Sequence, residues 1–311
     1  MFDVIALGEL NVDLILNRID GKPEVGKEKF CQDMILTLGS STAIFAANAA
    51  ALGTKVAFCG MIGEDSFGEL VDSSLQKKGV DTRYLIRQNK YATGATICLS
   101  YNEDRANVTY QGSMDYLCMA DIPAELFGAG KHLHISSIFM QSGIKRDILS
   151  ILRAAKKAGM TTSLDTQWDP SEKWNLDYRE VLPLIDVFLP NEKELCCLTG
   201  SEEVMEAVEK IMPYHNNTVV KWGNKGSLLV KKDRTMRMLE PFLNKQVVDA
   251  IGAGDSFNSG FLSRYVQGDT LEDCQRYGNM TGAVNTTAAG GTGAFTSREE
   301  VEKKGRMLGW R

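Results

Sequence analysis

Val248-Asp249-Ala250-Ile251-Gly252-Ala253-Gly254-Asp255-Ser256-Phe257-Asn258-Ser259-Gly260 is the stretch on which the fold of this chain turns. Two glycines bracket an alanine at the start of an apolar helix, so a ligand can come close to the backbone. The first-turn N–H groups and the helix dipole then form an anion site. Asp255 lies in that same turn, where a carboxylate can take a proton from a hydroxyl brought against a cradled phosphorus. The segment also reads as an ordinary glycine-rich cap with Asp255 complementing the dipole. A Gly-Asp-Ser nucleophile at Ser256 is excluded by its own chemistry. It needs a histidine base, normally near the C-terminus, and His132, His134 and His215 all precede it.

Outward from that helix, apolar runs at about residues 2–8, 55–61, 131–136, 161–165, 186–189 and 218–222 predict strands of the buried parallel type. Helical periodicity over 41–52, 66–78, 144–158, 192–198 and 202–212 alternates with them, as in βαβ units. The last third is helical over 254–266 and 271–289, and a final helix is opened by Thr296 and Ser297, each with a glutamate three residues on. The predicted class is α/β, one three-layer domain around a mainly parallel sheet. Residues 12–38 and 92–112 break the rhythm. They hold β-type runs at 29–38, 95–101 and 107–110, with turn chemistry at Asp20-Gly21 and Asn102-Glu103-Asp104. Strands projecting from a parallel sheet suggest a lid; the plainer alternative is a pair of edge hairpins.

Composition narrows the function. With 43% hydrophobic and 24% charged residues among 311, the chain is of ordinary globular type, which excludes disorder, collagen and coiled coil. A net charge of -5 without a block of like charge leaves no footprint for nucleic acid. Seven cysteines without a Cys-x-x-Cys spacing fit a reducing compartment. The N-terminus lacks a basic n-region and no apolar stretch is long and unbroken, so a cytoplasmic protein without a membrane span is expected.

Other segments carry two readings each. In Pro190-Asn191-Glu192-Lys193-Glu194, Asn191 and Glu194 form a capping box, or hold Mg²⁺ and its waters beside a triphosphate. Lys221-Trp222-Gly223-Asn224-Lys225-Gly226 is a hairpin or a glycine-lined nucleotide wall. In Gly8-Glu9-Leu10-Asn11-Val12-Asp13, Asn11 and Asp13 share a face if the strand continues, and Asp13 either accepts hydrogen bonds from a polyol or sits in a solvated loop. Residues 21–28 nearly spell a Walker A loop, but Glu28 stands where a Ser or Thr must bind Mg²⁺. His132 and His134 share a strand face without a third metal ligand nearby and read as a packed pair.

Taken in order, these segments resemble the ribokinase-like sugar kinases, also called the phosphofructokinase-B carbohydrate kinase family. The resemblance runs from residue 3 to about residue 298 through Gly8-Glu9-x-x-x-Asp13, the Gly39 to Gly53 segment, Gly60-x-x-Gly63-x-Asp65-x-x-Gly68, Asn191-Glu192-x-Glu194, Gly223-x-x-Gly226, Gly252-Ala253-Gly254-Asp255 and Asn279. It implies a three-layer αβα ribokinase-like fold, one kinase domain over 1–311, with a β lid from about 12–38 and 92–112. It also implies transfer of the γ-phosphoryl of ATP to a sugar hydroxyl, with Asp255 as base and the Gly252, Ala253 and Gly254 amides as anion hole. By the same resemblance Asp13, Gly39 and Ser40, with Asn11 beside them, bind the sugar. Asn191 and Glu194 organise the waters of Mg²⁺, and Lys221, Gly223, Gly226 and Asn279 line the nucleotide. Asp249 and the Ile251 carbonyl match a site for an activating monovalent cation such as K⁺, and the lid often builds a homodimer.

Departures from the pattern bear on the substrate. Ser40 replaces a second glycine, and Ile44 replaces an asparagine that hydrogen-bonds sugar, so one polyol contact is missing. Asp165-Thr166-Gln167-Trp168-Asp169-Pro170 lacks an arginine that holds acid-bearing sugars in relatives; Arg105 is the candidate to take that role. Ala250 replaces a threonine beside the cation site. A nucleoside kinase of the same fold, and a sugar-binding regulator without turnover, are the alternatives.

Overall fold

The computed structural model describes residues 1–101 and 104–311, with 104 and 105 described by backbone alone. Strands β1 (Phe2–Leu7), β2 (Asn11–Asn17) and β3 (Asp33–Leu38) lead into α1 (Ser41–Ala51), β4 (Val56–Gly63), α2 (Ser66–Lys77) and β5 (Asp81–Gln88). After β6 (Gly94–Tyr101) and β7 (Asp104–Tyr110) come β8 (Gly130–Ser136), α3 (Ser142–Lys157), β9 (Thr161–Asp165), α4 (Tyr178–Val181) and β10 (Val187–Phe188). The chain ends with α5 (Glu192–Thr199), α6 (Val204–Ile211), β11 (Asn217–Lys221), β12 (Ser227–Val230), β13 (Met236–Leu239), α7 (Ala253–Tyr265), α8 (Leu271–Asn285) and α9 (Arg298–Met307).

Nine strands form one sheet in the order β13-β12-β11-β10-β9-β8-β1-β4-β5, parallel from β11 to β5. Alternation in β1 shows why the sheet needs two helical layers. Ile5 and Leu7 pack with Ile144 and Ile148 of α3, while Val4 and Ala6 pack with Phe45 of α1 and Phe261 of α7. From β1 the chain steps outward to β4 and β5, then from β8 outward the other way to β9, β10 and β11. That reversal puts a crevice at the carboxyl ends of the central strands, the usual place for a ligand in such sheets.

The two segments outside the rhythm form a separate four-stranded sheet, order β3-β2-β6-β7, in which β2 and β3 are antiparallel and β2 and β6 parallel. The predicted strand 29–38 begins only at Asp33, and the Asn102-Glu103-Asp104 turn lies outside the described residues. The hairpin read at 221–226 joins β11 to β12, which with β13 turns that edge antiparallel; β5 and β13 were not anticipated. β5 carries Asp81, Arg83 and Arg87 and lies at the other sheet edge, where polar residues are tolerated. The predicted helix 271–289 stops at Asn285. There Thr286 and Thr287 hydroxyls bond back to the Ala283 and Val284 carbonyls, and the Asn285 side-chain Nδ2 donates to the Ile251 carbonyl. Among the described residues no helix is long and apolar enough to cross a membrane.

Candidate active site

Helices α1 and α7 lie side by side with their N-termini at the same end. Asn48 Nδ2 donates to Ser256 Oγ at 2.9 Å and to the Gly291 carbonyl at 2.8 Å, and Ser259 Oγ donates to the Phe45 carbonyl at 3.0 Å. Two helix N-termini therefore face the crevice, and both contribute to the site.

At the α7 end Gly252 is the N-cap with φ of 74°, a conformation that costs an L-residue with a Cβ about 1–2 kcal/mol. A Cβ there would also sit 2.7 Å from Gly291 Cα. Among the described residues the Gly252, Gly254 and Asp255 amides have no acceptor, as expected of a helix start. The predicted third member of the cradle differs: the Ala253 amide donates to the Ala250 carbonyl at 3.2 Å. Among the described residues the amides of this turn left without an acceptor are thus those of Gly252, Gly254 and Asp255. Asp249 braces the loop before them, accepting from the Ile251 amide and the Gly290 amide, both at 2.9 Å.

The Asp255 side chain is buried and receives Gln167 Nε2 at 2.9 Å. Burial, and then the charge of Asp165, hold its carboxyl well above the usual carboxylate range, which suits a group that must take up a proton. Asp165, at the end of β9, is itself fully buried. It accepts Lys221 Nζ at 2.5 Å, Asn258 Nδ2 at 2.5 Å and Gln167 Nε2 at 3.2 Å. Sequence reasoning quoted Asp165 and Gln167 only for a missing arginine. The signal that would have found them is a carboxylate closing a buried parallel strand.

At the α1 end, Ser40 caps the helix with φ of 71°, its hydroxyl donating to the Glu9 carbonyl at 2.7 Å and accepting from the Ala43 amide at 3.0 Å. The Glu9 carboxylate takes the Ser41 amide at 2.9 Å and the Thr42 hydroxyl at 2.6 Å, and burial pushes its pKa up. Beside it, buried Asn11 donates to Asp13 Oδ1 at 3.0 Å and to Thr96 Oγ1 at 2.9 Å. Gly39 presses against this pair so closely that a Cβ would meet Asp13 Oδ1 at 2.3 Å. Three of the predicted polyol residues, Asn11, Asp13 and Gly39, therefore stand together, with Thr96 and its partner Thr109, 3.0 Å away, added by the second sheet. Ile44 is buried against Gly252 and Gly291, so it supports the back of the anion site. A cavity of about 1050 Å³ lies between the second sheet and the loops before α7 and after α8, lined by Ile15, Thr37 and Ser100 and by Asp249, Ile251 and Gly291. The Arg105 side chain lies outside the described residues.

The remaining predicted residues close the far side. Asn191 and Glu194 make the capping box, Asn191 Nδ2 and amide donating to the carboxylate at 2.6 and 2.9 Å. Glu194 is buried, and burial followed by the Asp165 charge push it up to about 7. Among the described residues no three His, Cys, Asp or Glu side chains could cage a metal. An ion brought by phosphates and keeping its waters fits these oxygen donors, as Mg²⁺ does. Asn279 Nδ2 donates to the Glu240 carbonyl at 3.2 Å, and a Cβ on Gly226 would strike the Leu239 carbonyl at 1.9 Å, so both shape one wall after β13; Gly223 opens to space. His132 and His134 are buried away from the crevice, each ring nitrogen bonded to a Ser or Thr hydroxyl at 2.7–2.8 Å.

The chain is similar to known sugar kinases. An uncharacterized sugar kinase of Archaeoglobus fulgidus is 30% identical over 75% of this chain and 91% of its own length. The ribokinase of Haemophilus influenzae is 27% identical over 95% of both chains. The structure of Arabidopsis thaliana ribokinase complexed with ribose and ATP superposes with a TM-score of 0.84 at 24% identity, covering 98% of this chain and 99% of that one. The profile of the pfkB family carbohydrate kinases matches residues 1–298, and the chain belongs to that family, whose members are phosphotransferases acting on a hydroxyl group.

Proposed function

We propose that this protein transfers the γ-phosphoryl of ATP to a hydroxyl of a small polyhydroxylated acceptor, a sugar. What supports this reading is a buried Asp255 carboxyl in the same helical turn as three amides that have no acceptor among the described residues, at the crevice where Asn11, Asp13 and Gly39 stand together. Asp13 and Asn11, with the Gly39 and Ser40 backbone, hold acceptor hydroxyls and turn one toward Asp255. Asp255 takes the proton as the hydroxyl oxygen bonds to the γ-phosphorus, and the bridging oxygen leaves with ADP. The Gly252, Gly254 and Asp255 amides meet the negative charge spread over the transferring group, so transfer rests on positioning and electrostatics. Lys221, Asn191, Gly223, Gly226 and Asn279 line the nucleotide. Glu194, with Asn191 beside it, would hold Mg²⁺ through its waters, and the ion would supply neutralisation of phosphate charge.

The second sheet serves as the lid over the acceptor, since its Asn11, Asp13 and Thr96 face lines the crevice. Its other face carries the register row Leu36-Leu14-Ile97-Val108, of which Leu36, Ile97 and Val108 are exposed, and this row supports a homodimer through the lid. K⁺ at Asp249 and the Ile251 carbonyl belongs to the same reading, although Asp249 already accepts the Ile251 amide and the Ile251 carbonyl already accepts Asn285 Nδ2 from the end of α8. ADP release from ATP measured against hexoses, pentoses, ketodeoxy acids and nucleosides, with and without K⁺, tests the reading. Acceptor-dependent release with a sugar supports it. Turnover with nucleosides alone replaces the acceptor class, and sugar binding without turnover favours a regulator.

A further inference from the structure

The roles above place Lys221 along the nucleotide but leave unexplained why it is buried in an ion pair with Asp165. Burying such a pair is a poor way to gain stability, because desolvation offsets most of the attraction. Its place is specific, however. Asp165 closes β9 and Lys221 closes β11, two strands separated only by β10, so both stand at the crevice. Lys221 Nζ reaches past Asp165 to within 3.6 Å of where a Cβ on Gly254 would lie, and that space is the anion-binding face of the helix start. Asp165 would not be stripped of partners by losing the lysine, because Asn258 Nδ2 at 2.5 Å and Gln167 Nε2 at 3.2 Å still donate to it. The ammonium has three donors and can turn one toward an anion while keeping Asp165.

We propose that Asp165 is a positioning residue that holds Lys221 Nζ at the Gly254 end of the cradle, where the ammonium hydrogen-bonds the terminal phosphoryl of ATP and makes the site prefer ATP to ADP. This rests on the kinase reading and adds to it a device for sensing the γ-phosphate. Lys221 is then a catalytic residue and Asp165 acts through it. Lys221 also faces the Asp255 and Glu194 carboxylates. Burial works to lower its pKa, but the Asp165 and Glu194 charges outweigh burial and keep it protonated.

Binding of Mg-ATP and of Mg-ADP to the full-length protein, measured by titration calorimetry without acceptor, tests the proposal. Lys221→Met is expected to weaken Mg-ATP by about 10- to 100-fold, the span of a lost hydrogen bond to a charged group, and to leave Mg-ADP within about threefold. Asp165→Asn is expected to lower the ATP preference in the wild-type background and to change nothing further when Lys221 is already Met. The double variant removes both charges and so keeps a neutral, packable pair should either single variant unfold. Loss of its ATP preference with Mg-ADP binding intact supports the proposal. Equal losses for both nucleotides, or effects of the two substitutions that simply add, overturn it while leaving the kinase reading in place. Failure of the wild-type protein to bind either nucleotide overturns both.

Discussion

Replacing Gln167 by Met tests how the base is set. Gln167 donates one amide to Asp255 at 2.9 Å and to Asp165 at 3.2 Å, so it bridges two carboxylates that repel each other. A hydrogen bond to a charged group is worth about 1.5–3 kcal/mol. At about 1.4 kcal/mol per pKa unit, its removal moves the base by roughly 1–2 units. The sign follows from which form the amide favours. It donates to ionised Asp255, so removing it favours the protonated carboxyl and raises a pKa that burial and the Asp165 charge already hold high. The acid limb of kcat/KM is therefore expected to move to higher pH by about that amount, with the plateau recovered in alkaline buffer. A coupled ADP-release assay from pH 5 to 9 with the preferred acceptor reads this directly. A limb that stays in place while the plateau falls refutes the reasoning, because Gln167 would then contact the substrate and leave the base untuned.

Two neighbouring glycines are expected to separate folding from function. Gly252→Ala, with φ of 74° and Gly291 Cα 2.7 Å from the new Cβ, should lower the melting temperature, whereas Gly254→Ala, whose nearest neighbour is Lys221 Nζ at 3.6 Å, should leave it unchanged and lose turnover. His132 is pushed down to about 3, chiefly by burial, so the folded state stays neutral there while the unfolded chain takes up a proton below about pH 6.5. Stability from its neutral burial is full above that pH and falls by about 1.4 kcal/mol per unit on acidification toward 3. Urea unfolding at pH 7 and 5 should accordingly show a smaller acid loss for His132→Gln by roughly 2 kcal/mol. Glu194, pushed up to about 7 mainly by burial, is protonated below that pH. The Mg²⁺ concentration for half activity should rise about tenfold from pH 8 to 6, and Glu194→Gln should abolish the dependence.

The parts of this molecule legible in the sequence are those where one physical demand dominates. β4 is buried at every position, so its apolar run announces a strand, and the α7 glycines announce an anion site because backbone must be bare there. β5 was not legible because an edge strand has only one neighbour and tolerates Asp81, Arg83 and Arg87. The Asp165, Gln167, Lys221 and Asn258 cluster spans 94 positions of chain and is assembled by strand order, which no local pattern carries. The Ile44 side chain faces Gly252 and Gly291, a direction that no local pattern shows because it depends on how α1 docks on α7. At the start of α7, the turn of the Ala253 amide back to Ala250 is decided by the loop that Asp249 braces, which no local pattern carries.

The central claim is that Asp255 is the proton acceptor of an ATP-dependent transfer to a sugar hydroxyl. Asp255→Asn keeps the size of the side chain and the amides of the helix start, and removes only the capacity to accept the proton. Measured side by side with the wild-type protein on its preferred sugar, the variant is predicted to bind Mg-ATP with unchanged affinity and to form sugar phosphate about 10²- to 10⁴-fold more slowly. Sugar phosphate formed by the variant at the wild-type rate would contradict the account.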